Sequence, residues 1–124
     1  MKIECYKVYE LALLSLGYEN ENVSVKDKID IRQVNIVNGV YTEVFFKMAN
    51  EGFVPLTDAY SEIELPEKVI YTVLVPGVAE KIAFEYADAN LQAYFAGVYN
   101  NGLHSLNSFD TQITDVLPSD YMND

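Results

Sequence analysis

Residues 64–106 read ELPEKVIYTVLVPGVAEKIAFEYADANLQAYFAGVYNNGLHSL, and their apolar side chains recur every three or four positions in two successive segments. This spacing predicts two helices, each with one apolar face. Pro66 opens the first helix, because the first turn of a helix does not use the N–H that proline lacks. Asp88 is the predicted N-cap of the second. The two faces are expected to bury each other at the centre of the core.

The two apolar faces are defined by residue type and spacing. That of the first helix consists of Val69, Ile70, Val73, Leu74, Val78, Ile82 and Tyr86. That of the second consists of Leu91, Tyr94, Phe95, Val98, Tyr99, Leu103 and Leu106. Pro76 and Gly77 interrupt the first helix, since an interior proline removes a backbone hydrogen bond, and a kink near residues 73–77 is predicted. A strand over residues 69–75, followed by a new helix from Pro76, is the alternative, because VIYTVLV is also a good β sequence.

The N-terminal half contains two more predicted helices and a long loop. A short helix spans residues 3–16 and ends at Gly17 in a left-handed turn. After a polar loop, a capping-box pattern at residues 24–27 opens a longer helix over residues 25–50. Gly39 lies inside that helix and costs it about 1 kcal/mol relative to alanine. Residues 52–65 have no helical period and are expected to form an extended loop that lays Phe53, Leu56 and Ile63 on the core.

Together these elements predict an all-α fold. A compact four-helix domain over residues 1–106 has a short first helix, a long second helix, a kinked third helix and a fourth helix, with the extended loop between the second and third. Residues 107–124 form an acidic, flexible C-terminal tail. An untethered tail is expected, and the alternative is an arm that orders on a neighbouring subunit, which the spaced apolar residues would suit. The interaction residues assigned in this tail are Phe109, Asp110, Asp115, Asp120 and Tyr121.

Length and charge limit the classes of function. The chain has 124 residues, half of them hydrophobic, which is enough for one core. No apolar run approaches the roughly 20 residues that cross a bilayer, and the N-terminus lacks the apolar block of a secretory signal, so a protein made in a cytoplasm with no membrane partner is expected. The net charge is −11, and no Lys or Arg follows Lys81. Because Lys and Arg drive DNA binding, this charge argues against tight binding to DNA.

The residues that catalysis requires are scarce. Cys5 and His104 are the single cysteine and the single histidine, so the chain has no intrachain disulfide and no Cys-based metal site. No phosphate-binding glycine loop, His-rich metal motif or calcium loop is present. The chain is therefore predicted not to be an enzyme, with no catalytic, cofactor-binding or metal-binding residue. A thiolate pair of Cys5 with His104, or chemistry by the plentiful carboxylates, are the enzymatic alternatives.

Aromatic residues are abundant: ten tyrosines and six phenylalanines. Most of the tyrosines in the helices are expected to fill the interfaces between them, namely Tyr41, Tyr71, Tyr86, Tyr94 and Tyr99. Four helices do not easily bury sixteen rings, and tyrosine is enriched in the contact cores of protein–protein interfaces. Some of these rings are therefore expected to face a protein partner.

Five segments, taken in order, resemble the small head–tail connector (adaptor) proteins of tailed bacteriophages and prophages. They are LALLSLG at 11–17, IVNGVY at 36–41, FVPLTDAYSEIELP at 53–66, VPGVA at 75–79 and YFAGVY at 94–99. The likeness extends over residues 8–106. The positions that match the family loop and helix start are Phe53, Pro55, Leu56, Leu65 and Pro66, and the role that the resemblance implies for them is to shape the subunit.

The resemblance implies a structural protein of the virion without catalytic residues or cofactors. Such subunits form a ring of about twelvefold symmetry at the head–tail joint, where they dock to the portal and extend the DNA channel. The implied partners are further copies of the chain, the portal protein and a downstream joint or tail protein, with DNA as passing cargo. The implied location is the virion head–tail joint, with the bacterial cytoplasm as the place of assembly.

The acidic C-terminal third fits this role, because a channel that DNA must traverse should not grip it, and a wall without Lys or Arg repels phosphates. The alternative function belongs to a different class. An acidic helical protein-binding module, acting as an inhibitor or DNA mimic, would place its carboxylates in the basic cleft of a DNA-handling enzyme.

Overall fold

The computed structural model of the chain describes residues 1–18, 29–49 and 51–115, with side chains through Leu106. They form an all-α, four-helix domain with one small antiparallel sheet, which confirms the predicted fold class. The elements in chain order are β1 (Lys2–Glu4), α1 (Cys5–Leu16), α2 (Ile31–Met48), β2 (Glu62–Glu64), α3 (residues 67–85) and α4 (Ala89–Asp115). Within α3, the segments Glu67–Val69 and Val75–Glu85 are α-helical, and Ile70–Leu74 between them is π-helical.

Helix α3 is the centre of the domain. All seven residues from Val73 to Ala79 are buried, so this part of the helix has no side that faces solvent. A helix that is apolar all round must be covered on every side, and α3 packs most extensively on α4 and next on α1. The predicted pairing of the two C-terminal helices is thus confirmed, and the other helices complete the cover.

The disturbance predicted near Pro76 takes the form of a π-helical turn. The N–H of Val75 donates to the carbonyl of Ile70, five residues back, instead of four. This wider turn lies immediately before Pro76, where the α-helical ladder would need the N–H that proline lacks. The chain therefore stays helical through Val69–Val75, and the alternative of a strand there is wrong.

The second helix begins later than predicted. Its first residue is Ile31, and Asp30 is its N-cap: the Asp30 carboxylate accepts from the N–H groups of Arg32 and Gln33, and the Gln33 side chain accepts from the Asp30 N–H at 2.9 Å. This reciprocal pair is a capping box. The capping box predicted at residues 24–27 lies outside the described residues. The helix ends at Met48, close to the predicted stop.

Some residues that were predicted as helix and loop form a two-stranded sheet instead. Ile3, the first residue of the predicted first helix, lies in β1 and pairs with Ile63 of β2. In the sequences KIE and EIE the alternation puts one isoleucine on the core side of each strand, and both isoleucines are buried. The prediction that the loop lays Leu56 and Ile63 on the core is confirmed, and Phe53 is partly buried against it.

Helix α4 continues beyond its predicted end at Leu106 to Asp115. Phe109, Asp110 and Asp115 therefore belong to the helical backbone, whereas Asp120 and Tyr121 lie outside the described residues. The Asn, Ser and Thr residues after Leu106 are weak helix formers, which favoured a tail. They do not include a glycine or proline that would stop the helix, and the next proline is Pro118.

Asp88 joins three parts of the fold, and its predicted role as N-cap of α4 is confirmed. Its Oδ1 accepts from the N–H of Leu91 at 3.2 Å, and its Oδ2 accepts from the Tyr18 hydroxyl at 2.9 Å. Its own N–H donates to the carbonyl of Ala83 at 2.9 Å and so closes the end of α3. One side chain thus connects the start of α4 to the end of α1.

Replacing Asp88 with alanine is expected to lower the free energy of unfolding by about 1–2 kcal/mol, because the cap and the bond to Tyr18 are both lost. Urea titration followed by circular dichroism measures this change. Asp88→Asn is the matched control: asparagine caps helices about as well as aspartate, so it should lose clearly less. Equal losses in the two variants would show that the cap is not what Asp88 contributes.

Candidate interaction surfaces

The tyrosines divide into two groups. Tyr41 and Tyr99 are buried, as predicted, whereas Tyr71, Tyr86 and Tyr94 are exposed, so their assignment to helix interfaces is wrong. The reason at Tyr94 is local. Phe95, the next residue, takes the core position, and a step of about 100° per residue turns Tyr94 toward solvent.

Helix α4 presents an exposed face without any Asp, Glu, Lys or Arg, which we call the neutral face. Its members are Asn90, Ala93, Tyr94, Gly97, Asn100, Asn101, His104 and Ser105. Tyr94 is its largest side chain and is 63% exposed. Each of the other three helices exposes charged side chains, for example Lys7 on α1, Glu43 on α2 and Lys81 on α3. A molecule with a net charge of −11 thus keeps one helix face free of charge.

A groove of about 380 Å³ lies between α2 and the end of α3, and we call it the Gly39 groove. Its lining combines apolar and polar residues: Asn35, Ile36, Gly39, Val40, Glu43, Lys81, Phe84 and Glu85. Phe84 is 67% exposed although it is a large apolar residue. The groove therefore offers unburied apolar surface with room for one aromatic side chain.

The charged residues at the Gly39 groove already have partners within the chain. Glu85 lies 3.4 Å from Arg32, and Lys81 lies 3.6 Å from Glu80. Glu43 accepts a hydrogen bond from the Tyr99 hydroxyl at 2.5 Å. The two ion pairs balance Glu85 and Lys81, whereas the Glu43 carboxylate has no cationic partner among them, so the groove disfavours an acidic occupant.

The bond between Tyr99 and Glu43 fixes α4 against α2. Burial, followed by the hydrogen bond to Glu43, raises the pKa of the Tyr99 hydroxyl, so this group remains a donor at any ordinary pH. The Tyr99 ring also packs over Gly77 of α3. The same residue therefore sets the rotation of α4 about its axis and with it the direction of the neutral face.

Three phenylalanines form a partly exposed cluster, the aromatic patch, at the end of α2 and in the loop that follows: Phe46 is exposed, and Phe45 and Phe53 are partly buried. The ring centroids of Phe45, Phe46 and Phe53 lie 5.4 Å apart in each pair. Phe46 is 49% exposed, and the neighbouring Val54 is 71% exposed. Aromatic clusters of this kind commonly contribute to protein–protein contacts.

Cys5 and His104 do not form a reactive pair. Burial, with a smaller contribution from the Asp58 carboxylate, raises the pKa of the Cys5 thiol to about 12, so the thiolate is not available near neutral pH. His104 is exposed on the neutral face, and no hydrogen bond links it to Cys5. Within residues 1–18, 29–49 and 51–106, no three His, Cys, Asp or Glu side chains come together as metal ligands.

The positions that carry the resemblance to connector proteins lie in the body of the domain. Leu56 and Leu65 are buried, Phe53 is partly buried, and Pro55 and Pro66 are exposed. None of the described helices is both long enough and apolar enough to cross a membrane. No protein-family model, curated protein or solved structure matches the chain.

Proposed function

We propose that the chain is a structural protein of a tailed bacteriophage or prophage that forms a ring at the head–tail joint, docks to the portal and extends the DNA channel. The observation that carries this proposal is the neutral face of α4 on a strongly acidic molecule. Copies that each carry a charge of −11 repel one another, and a surface without charge is where they approach at least cost.

A ring around a channel needs several surfaces on each subunit. Two different surfaces must meet between neighbouring copies, because a head-to-tail contact closes a ring, whereas a self-complementary contact makes a dimer. Another surface must bind the portal. The neutral face, the Gly39 groove and the aromatic patch are three surfaces that expose uncharged or apolar side chains, and the groove is also lined by Glu43, Lys81 and Glu85. We assign the aromatic patch to the portal, because exposed rings act as anchors in protein interfaces.

The charge of the C-terminal third supports the role of DNA as passing cargo. No Lys or Arg follows Lys81, whereas Asp110 and Asp115 lie on the far part of α4. A channel wall of this composition does not displace counterions from DNA and therefore does not hold it.

The test is the mass of the chain in solution with and without its portal protein. We expect the chain and the portal to elute together in size-exclusion chromatography with light scattering, in a complex that holds several copies of the chain for each portal ring. Phe46→Ser combined with Val54→Ser should abolish this complex, because both changes remove exposed apolar area from the aromatic patch.

Leu14→Ser is the matched control, since Leu14 of α1 is 52% exposed and lies outside the aromatic patch. This variant should bind the portal as the unchanged chain does. If the chain elutes alone in the presence of the portal, the proposal fails. If it then forms a complex with a basic DNA-handling enzyme of the same phage, the DNA-mimic alternative replaces it.

A further inference from the structure

We propose that the Gly39 groove of one copy receives the neutral face of α4 from a second copy, with the Tyr94 side chain entering the groove. This inference rests on the ring proposed above and names the two surfaces that meet in it. The contact is head-to-tail, since each copy contributes a different surface to each of its two neighbours.

The first argument comes from the glycines inside the helices. A Cβ atom at Gly77 would lie 2.5 Å from the Tyr99 ring, and one at Gly102 would lie 2.8 Å from Val73, so internal packing requires both glycines. A Cβ atom at Gly39 or Gly97 would meet nothing within 4 Å. Glycine weakens a helix interior, and folding of the subunit does not need it at these two positions. Gly39 lines the groove and Gly97 lies on the neutral face. At both positions the missing side chain lets another backbone approach.

The second argument is charge. Glu85 and Lys81 beside the groove are paired with Arg32 and Glu80, but the neutral Tyr99 hydroxyl does not cancel the charge of the Glu43 carboxylate. The groove therefore disfavours an acidic occupant. The apolar side chains of Ile36, Val40 and Phe84 in its lining suit an uncharged aromatic ring. Within the described part of the chain, α4 is the helix whose exposed side through Ser105 lacks charge, and Tyr94 is the prominent ring on it.

The third argument is direction. Tyr99 faces α2 and α3, and Tyr94 is five residues earlier, which places it about 140° away around the axis of α4. Tyr94 therefore points away from the side of α4 that contacts α2. The neutral face therefore cannot fill the Gly39 groove of its own chain. A neutral face that occupies this groove must come from another copy.

The size of the contact predicts when it forms. The neutral face from Asn90 to Ser105 is about 22 Å long, the rise of fifteen helical residues. One helix face against one groove covers less than the roughly 800 Å² on each partner that a stable interface buries. A single contact is therefore weak, and it becomes stable when a template such as the portal collects many copies or when a ring closes.

The test uses single engineered cysteines on separate chains. One variant carries Gly39→Cys and the other carries Gly97→Cys, with tags of different mass. The native Cys5 is fully buried and does not compete. The two variants are mixed at high concentration under a mild oxidant, and the disulfide-linked dimers are separated without reductant. Because each chain carries one engineered cysteine, an intramolecular bond between the two positions is impossible.

We expect the yield of the mixed dimer to exceed the yield of either homodimer by about tenfold, the effect expected for a specific binding contact. It should also exceed, by about tenfold, the yield of dimers made with the exposed Ser15→Cys control. Adding Tyr94→Ala to the Gly97→Cys chain should lower the yield of mixed dimer about tenfold, as loss of an interface anchor does. Tyr71→Ala, at an exposed tyrosine of α3 outside the neutral face, should leave the yield unchanged.

Two outcomes would overturn the inference: a mixed dimer no more abundant than the Ser15→Cys background, or a predominant homodimer of the Gly97→Cys chain, which would mean that two neutral faces meet each other. These results are separable from the proposed function. Portal binding with no specific mixed dimer would retain the ring protein and reject these surfaces. A specific mixed dimer without portal binding would retain the contact between copies and reject the head–tail joint.

Discussion

Gly77→Ala is expected to lower the free energy of unfolding by about 3 kcal/mol, a large share of the stability of a small domain. The added Cβ atom would lie 2.5 and 2.6 Å from two carbons of the Tyr99 ring and 2.7 Å from a Val40 methyl carbon. The ring cannot simply swing aside, because its hydroxyl is bonded to Glu43. Helices α2, α3 and α4 meet at this point, so the strain must be shared by all three. Chemical denaturation at pH 7 measures the change.

The matched control for this prediction is Gly97→Ala on α4. This residue is also a glycine inside a helix, but the new Cβ atom would meet nothing within 4 Å. The change should therefore raise the free energy of unfolding by about 0.5–1 kcal/mol through helix propensity alone. A destabilisation of similar size in both variants would contradict the close packing at Gly77.

Alkaline pH is expected to cost the domain several kcal/mol of stability between about pH 9 and pH 12. The pKa of the Cys5 thiol is raised by burial from 9.0 to about 12, and that of the Tyr9 hydroxyl is raised by burial from 10.0 to about 12. The folded state holds these protons more tightly than the unfolded state. Their contribution is thus complete below about pH 9 and is lost as the pH rises, by on the order of 3 kcal/mol for Cys5 alone.

Urea titrations at pH 7, 9, 10 and 11 measure this loss. Cys5→Ala separates the two residues, because the unfolded thiol begins to titrate about one pH unit before tyrosine. In this variant the free energy of unfolding should stay nearly level up to about pH 10 and fall above it. An unchanged free energy of unfolding from pH 7 to pH 11 in the natural chain would contradict the burial of these groups.

The sequence was sufficient to predict the helical core because the apolar period is strong there. Val69, Ile70, Val73, Leu74 and Val78 recur at helical spacing, and all five are buried. The N-cap at Asp88 could be read directly, since capping needs only a short side chain before an apolar run. The sequence DIRQ at residues 30–33 also fits the capping-box pattern, so the start of α2 could have been found from the same signal.

Other features depend on contacts between distant segments. The sheet pairs Ile3 with Ile63 through strands of three residues, which are too short to show a period. Tyr86 and Tyr94 have the spacing of the apolar faces, but the polar hydroxyl of tyrosine allows the side chain to lie at a solvent-exposed position. The Gly39 groove exists because α2 and α3 lie side by side. The local sequence around Gly39 or Phe84 does not predict this packing.

The enclosure of α3 has a consequence for how the domain holds together. Residues 73–79 of α3 are buried on every side of the helix. Removing any of the helices that cover them would expose this apolar surface to water, which is unfavourable. A fragment that lacks one of the covering helices is therefore not expected to remain folded. We therefore expect the four helices to fold and unfold as one cooperative unit.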